Sequence, residues 1–435
     1  MGLLRVTPVI LSALLLGAHF LRAGNHGLVA AALAAPSILF YRRRWVLYAT
    51  AGLLITGALI WAETTWTIVH FRMGNGQSWL RMFAIMAGVI LLTAGSSFVL
   101  VSRKARVTYS QSVGTAIPSV SAFFLTGLIL TIVQLKVGLP LLIFERFFPG
   151  GGWIEILLLS VYAGWITEKM LDRQKSARVR RSIWMLFSVV FFLQLIVGLA
   201  GVEKLLMTGI LHLPVPAMII AGPLFRWESS IMLFLFGGAL LLVGPAWCSH
   251  LCYIGAWDDI ASRARPKPKK MPKWRGPAQF SILALVISTA VGLNVAGVSA
   301  ALATIAGAGF GLLGVGLMVF WSRRTGVMTH CTVYCPIGVM ASWLGKVSPF
   351  RIRIKDGCTD CGVCRPACRY DALNMTDIKR RRPGISCTLC GDCLGRCEDN
   401  FIEYRFAGIK AHNARALFIT MAVSLHAVFM GLARI

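Results

Sequence analysis

The feature that most constrains this chain is a succession of apolar stretches, 15 to 24 residues long, separated by short basic loops. A helix needs roughly 20 such residues to cross a bilayer. Inside lipid every backbone amide must be satisfied within its own segment, which leaves helices or closed barrels. The weak alternation of barrel strands is not seen. Spanning segments are read at 7–21, 27–41, 45–62, 79–102, 117–135, 153–168, 183–200, 229–246, 278–297, 302–321 and 415–433. The expected fold is therefore an all-α polytopic membrane bundle of about eleven helices, carrying a small α+β module near its C-terminus. Composition agrees, with 57% hydrophobic and 14% charged residues, against about 45–50% and about 25% in soluble domains. The first segment, although short, is expected to be retained, because no small-residue cleavage motif follows it. Residues 202–227 are apolar but broken by Pro214, Pro216 and Pro223. They are expected to pack at the outer surface or re-enter the membrane.

A formal charge of +27 invites a nucleic-acid reading, but its distribution argues against one. With the N-terminus inside and each segment crossing once, 36 of the 44 Lys and Arg fall on one face and 8 on the other. That asymmetry is the signature of orientation by cytoplasmic positive loops. The expectation is a multi-pass protein of the inner (cytoplasmic) membrane, touching anionic lipid headgroups, with no nucleic acid.

All 12 cysteines lie in four short motifs. Two runs read C-x2-C-x2-C-x3-C, Cys358/Cys361/Cys364/Cys368 and Cys387/Cys390/Cys393/Cys397. This is the spacing of bacterial two-cluster ferredoxins, in which three close thiolates hold one cubane and the fourth crosses to the other. One [4Fe–4S] cluster is assigned to Cys358, Cys361, Cys364 and Cys397, and a second to Cys387, Cys390, Cys393 and Cys368. Gly362 and Gly391 suit tight loops whose amides face cluster sulfur. Zinc knots would use separated C-x2-C pairs instead. The Pro that usually follows the fourth Cys is replaced by Arg369 and Glu398. Lys379, Arg380, Arg381 and Arg382 make this module basic. It is read as lying on lipid headgroups or steering an acidic redox partner protein.

Two further motifs follow pairs of membrane helices, Cys248/Cys252 and Cys331/Cys335. They share C-x3-C-x-I-G, lie 83 residues apart and look like an internal repeat. A spacing of four puts both sulfurs on one helical face, so four thiols from two pairs are a candidate third cluster or metal site. The alternatives are two reducible dithiols or packed structural thiols. A stable disulfide is disfavoured on a cytoplasmic face. His250 and His330 flank the pairs as candidate ligands or interface residues.

From about residue 183 to 405 the chain resembles the NapH/NosR-type membrane polyferredoxins, the ferredoxin-type quinol dehydrogenase subunits. The resemblance rests on the two helix-pair and C-x3-C loops followed directly by the two ferredoxin runs. It implies electron transfer linked to the quinone pool, often serving or maturing a periplasmic metalloenzyme within a multi-subunit membrane complex. Tyr253 stands where the family has Pro, and the first six segments lie outside the match. No Ser/Thr-Gly-Ala-Thr flavin-attachment motif occurs, residues 112–115 being a poor substitute. The domains are read as 1–182 (six membrane helices), 183–350 (the repeats), 351–406 (the ferredoxin module) and 407–435 (a last membrane helix).

No C-x2-C-H haem motif, nucleotide loop or hydrolase triad is present. His19 and His426 are intramembrane histidines without a paired haem spacing. Glu63, His70, Glu155 and Glu168 are candidates for quinone protonation. The function expected is a one-electron relay between quinone and a redox partner, with quinol oxidation as its enzymatic form. The rival readings are an assembly factor working through the C-x3-C loops and an electron-transfer subunit of a larger complex.

Overall fold

The structure is a computed structural model describing residues 3–109, 113–206, 213–228 and 231–432. Ser112, of the poor flavin match, and 207–212, within the proline-broken region, lie outside the described residues. Among the described residues, eight helices are long and apolar enough to cross a membrane. They coincide with the expected segments except the first two and 153–168, which form Leu3–Arg22, His26–Ala34 with a tight turn to Phe40, and Gly152–Leu171. The protein is a membrane protein, and its chain divides into two compact units, Met1–Glu168 and Lys169–Ile435.

In the first unit, helices approach closely where side chains are small, as expected without a hydrophobic drive inside lipid. A Cβ on Gly57 would meet Leu16 at 2.5 Å, and one on Gly52 would meet Phe124 at 2.3 Å. Asn25 caps His26–Ala34 by accepting the Leu28 amide at 3.1 Å. Glu168 is held by Arg43 at 2.8 Å, by the Trp45 indole at 3.0 Å and by the Tyr41 hydroxyl at 3.3 Å. Glu155 accepts the Phe144 amide at 2.8 Å. Both carboxylates are thus fastened into structural bonds, whereas Glu63 and His70 lie exposed on the long helix Arg44–Gly74.

The second unit carries every cysteine. Its membrane helices are Ser176–Leu199, Ile231–Val243 with its continuation to Leu251, Arg275–Val295, Ala300–Leu317 with its continuation to Thr325, and Ala411–Leu432. A polar module follows the short helix Pro336–Leu344. It opens with strand β1 (Arg351–Ile354) and closes with β2 (Ile402–Arg405), paired antiparallel from Arg351↔Arg405 to Ile354↔Ile402. Ile352, Ile354, Ile402 and Tyr404 are buried from this two-stranded sheet, while Tyr404 stacks on Phe418 of the last helix with ring centroids 4.7 Å apart.

Candidate iron–sulfur site

The two ferredoxin runs fold into the same backbone path. In each, the residue before the second Cys, the Gly after it and the third residue past the fourth Cys have positive φ. These are Asp360 (54°), Gly362 (74°) and Asp371 (51°) in one run, and Leu389 (56°), Gly391 (78°) and Asn400 (58°) in the other. Left-handed residues curl a chain so that successive amides face inward, the usual nest for an anionic group. Between the third and fourth Cys each run makes a tight helical turn, Arg365–Ala367 or Leu394–Arg396. The fourth sulfur then accepts an amide four residues on, Ala372 to Cys368 and Phe401 to Cys397, each at 3.3 Å.

Sulfurs of different runs come together. Cys368 lines one cavity with Cys387, Cys390 and Cys393. Burial pushes the Cys364 thiol up to about 11, and the nearby Cys397, Cys358 and Cys361 add to the rise. Among the described residues, no three His, Cys, Asp or Glu side chains close on a point as a single metal ion would need. A cubane spreads its ligands more widely, and thiols beside inward-turned amides fit it. Cys361 is exposed, while Cys364 and Cys393 are buried.

The paired loops also repeat each other, with a change from expectation. Cys248 and Cys331 sit in widened π-type turns, Trp247–Leu251 and His330–Tyr334. The amides of Cys252 and Cys335 reach back five residues to Trp247 and His330, at 3.0 and 2.8 Å. The second Cys of each pair then leaves the helix in extended conformation. An ordinary helical face is therefore replaced by a bulged turn, a form frequent at functional sites. The Gly of the motif has a packing reason. A Cβ on Gly338 would meet the Cys331 carbonyl at 2.3 Å, and one on Gly255 the Cys248 carbonyl at 3.0 Å. This close fit lets the Ile and Gly amides of each motif bond the second sulfur. Burial pushes the Cys252 thiol up to about 11 and that of Cys335 to about 12. Cys248, Cys252 and Cys335 share one buried cluster, and burial pushes the Cys331 thiol up, with Asp258 and then those three cysteines near enough to add to the effect. The Cys331 amide bonds Asp258 at 3.0 Å, a carboxyl that burial lifts to about 6. His250 turns to Ser249 at 3.0 Å, and the His330 ring packs against Gly314 and Tyr334. His426 bonds the His250 carbonyl at 3.1 Å.

The two sulfur sets adjoin. Cys331, Cys368 and Cys390 pack around a buried group that includes Trp184 and Tyr370. The Trp184 indole donates to the Cys252 carbonyl at 2.7 Å, and the Tyr370 hydroxyl to that of Cys248 at 3.1 Å. Arg180 is fully buried, donating twice to Asp392 and once to the Ser249 carbonyl at 2.9 Å. Arg263 joins Asp259 (2.6 and 2.8 Å) to Asp392 (2.9 Å). Burial works against the Asp392 carboxylate, but Arg180 and then Arg263 hold it below the ordinary range. Ser249 donates to the Thr388 carbonyl at 3.0 Å. Sequence reading assigned Arg180 and Arg263 to membrane orientation alone. The available signal was Asp258 and Asp259, an acidic pair beside a basic run in a chain with only 17 acids. Arg369, noted only as a missing Pro, is buried and donates to the carbonyls of Ser262, Arg265, Gly326 and Pro266.

Comparison with known proteins falls on the same region. A family described as a 4Fe-4S binding domain matches residues 227–272 and 307–355, the two C-x3-C repeats. The methylamine utilization ferredoxin-type protein MauN of Paracoccus denitrificans (strain Pd 1222) is 27% identical over 210 residues, covering 43% of this chain and 71% of its own. No solved structure matches. The cysteine geometry and these matches agree that the chain is similar to the ferredoxin-type polyferredoxins and is an iron–sulfur protein of electron transfer.

Proposed function

We propose that this chain relays single electrons between the quinone pool and a redox partner protein, through two [4Fe–4S] clusters held crosswise by the ferredoxin runs. Cys358, Cys361, Cys364 and Cys397 hold one, and Cys387, Cys390, Cys393 and Cys368 the other. Cys248, Cys252, Cys331 and Cys335 hold a third cluster. When bound, these groups take up and release one electron at a time. The chain's residues set their spacing, surround them with amides and keep water out.

The observation that carries the reading is the shared packing of Cys331, Cys368 and Cys390 around Trp184 and Tyr370. It supports an unbroken file of sulfur sites from the membrane helices into the polar module. At the other end Cys361 is exposed, as a site serving a separate protein requires. The family match on the C-x3-C repeats favours a cluster there over a dithiol. The bias of Lys and Arg supports an inner membrane location with the module on the cytoplasmic side. The assembly-factor reading would make the same four thiols the working site.

The test is iron and acid-labile sulfide per chain, with EPR after reduction by a quinol analogue. About twelve irons per chain and reduction by quinol are expected. Folded protein without iron would end the electron-transfer reading. Thiol-dependent copper binding without quinol reactivity would favour the assembly factor.

A further inference from the structure

A cleft in the polar module reaches Cys387, and its walls are of two kinds. Pro245, Phe350, Ile352 and Ile385 supply apolar surface. Lys346, Arg351, Arg353, Arg380 and Arg382 supply cations, against one lining carboxylate, Asp377. Asp377 is engaged in capping, accepting the Asn374 amide at 2.9 Å. Arg351 spends its donors on the carbonyls of Ser348, Phe350 and Lys346. Arg353, Arg380 and Arg382 lie exposed and open the cleft to water.

The cleft also reaches a helix long and apolar enough to cross a membrane. Pro245 belongs to a membrane-spanning helix. The short helix Pro336–Leu344, whose Ser342 lines the cleft, leaves Trp343, Leu344 and, just beyond it, Val347 exposed at 48%, 50% and 68%. The Lys346 ammonium lies 4.2 Å over the Trp343 ring. An exposed Trp among aliphatic side chains, with a cation beside it, is the pattern of a membrane–water boundary. A ligand here can come from the bilayer, rest an apolar body on the cleft wall and present oxygens to guanidinium groups.

We propose that this cleft is the quinone site of the protein, a deepening that rests on the relay function above. The ring lies toward Cys387, its oxygens accept from the Arg353 and Arg382 side of the cleft, and the tail returns to lipid past Trp343. A quinol bound there gives up two electrons, one at a time, to the cluster carried by Cys387, and two protons to the water at the cleft mouth, leaving quinone. The cations stabilise negative charge on the oxygens between the two transfers.

The test uses full-length protein in detergent and the fluorescent quinol analogue heptylhydroxyquinoline N-oxide, whose quenching reports binding. Ile385→Trp fills the cleft and Arg382→Gln removes a donor. Each is expected to weaken binding roughly tenfold, and to slow duroquinol reduction of the clusters comparably. Iron content and the dithionite-reduced EPR spectrum should stay unchanged, which separates a site effect from misfolding. Unaltered binding and quinol reduction in both variants would overturn the proposal. So would variants that lose phosphatidylglycerol in native mass spectrometry but keep the inhibitor, since the cleft would then be a lipid headgroup site. Iron-free protein whose cleft variants lose the inhibitor would sink the relay and leave the binding site standing.

Discussion

The guanidinium of Arg180 grips the carboxylate of Asp392 through two hydrogen bonds of 2.9 and 2.8 Å, with both side chains almost wholly buried. The two residues are 212 positions apart. One stands in the first turns of a membrane helix and the other beside a cluster-run cysteine, so this pair fastens the polar module to the helices.

Removing Arg180 strips the buried Asp392 carboxylate of its two-pronged partner and leaves it only the Arg263 contact at 2.9 Å. Arg180→Leu is expected to cost about 3–5 kcal/mol, read as a lower midpoint in detergent unfolding. Arg180→Leu with Asp392→Leu should recover part of that loss, because no orphan charge remains. If the double variant is as unstable as the single one or worse, the ion pair is not the anchor described.

The crossed ligand sets predict which substitutions resemble each other. Cys397→Ser should damage the same EPR signal as Cys358→Ser, although the two lie in different runs. Cys368→Ser should damage the signal lost in Cys387→Ser. Each variant is expected to lose about four irons per chain. Signals that group by run, with Cys358 and Cys368 together, would reverse the assignment.

The two run glycines are alike in backbone but differ in surroundings. A Cβ on Gly391 would meet the Tyr404 hydroxyl at 2.6 Å, and that hydroxyl is bonded to the Leu389 carbonyl. A Cβ on Gly362 would meet only the Met375 sulfur, at 3.4 Å, and the Arg365 side chain. Both alanines bear the left-handed strain, about 1 kcal/mol. Gly391→Ala should cost more and release iron sooner on mild heating, as followed by visible absorbance. Equal losses would mean that Tyr404 yields freely.

Arg369 holds four carbonyls from two loops, and its own carbonyl accepts the Met328 amide at 2.8 Å. Arg369→Ala should destabilise by roughly 1–3 kcal/mol and, by loosening the already largely exposed Lys267–Lys273 stretch, speed its cleavage by trypsin. Arg369→Lys should rescue little, since one ammonium cannot reproduce a planar fork. Proteolysis unchanged in Arg369→Ala would show that the loop is held by other contacts.

Features of short sequence range were legible. The membrane spans follow from local hydropathy, and the ferredoxin runs from cysteine spacing within eleven residues, Cys358 to Cys368. The repeat C-x3-C-x-I-G was visible as a pattern, but nothing in it gave its glycine a role. Its role against the Cys331 and Cys248 carbonyls depends on a π-type turn that spacing alone does not specify. The Arg180–Asp392 clamp was hidden because loop arginines in a membrane protein already have an explanation in topology. A second use of the same charge leaves no trace in local sequence. Arg369 stood out as a departure, yet its carbonyl partners come from segments more than 40 residues away.

The pairing of β1 with β2 brings the start and finish of the cluster-bearing stretch side by side. A segment whose ends are neighbours can be inserted between two helices without moving either one. It behaves as a plug-in cassette, and a soluble ferredoxin grafted between Arg351 and Arg405 should fit the same opening. Such a graft would also have to carry an acid for Arg180, a carbonyl for Ser249 and counterparts of Tyr370 and Arg369, the contacts by which the native module is seated.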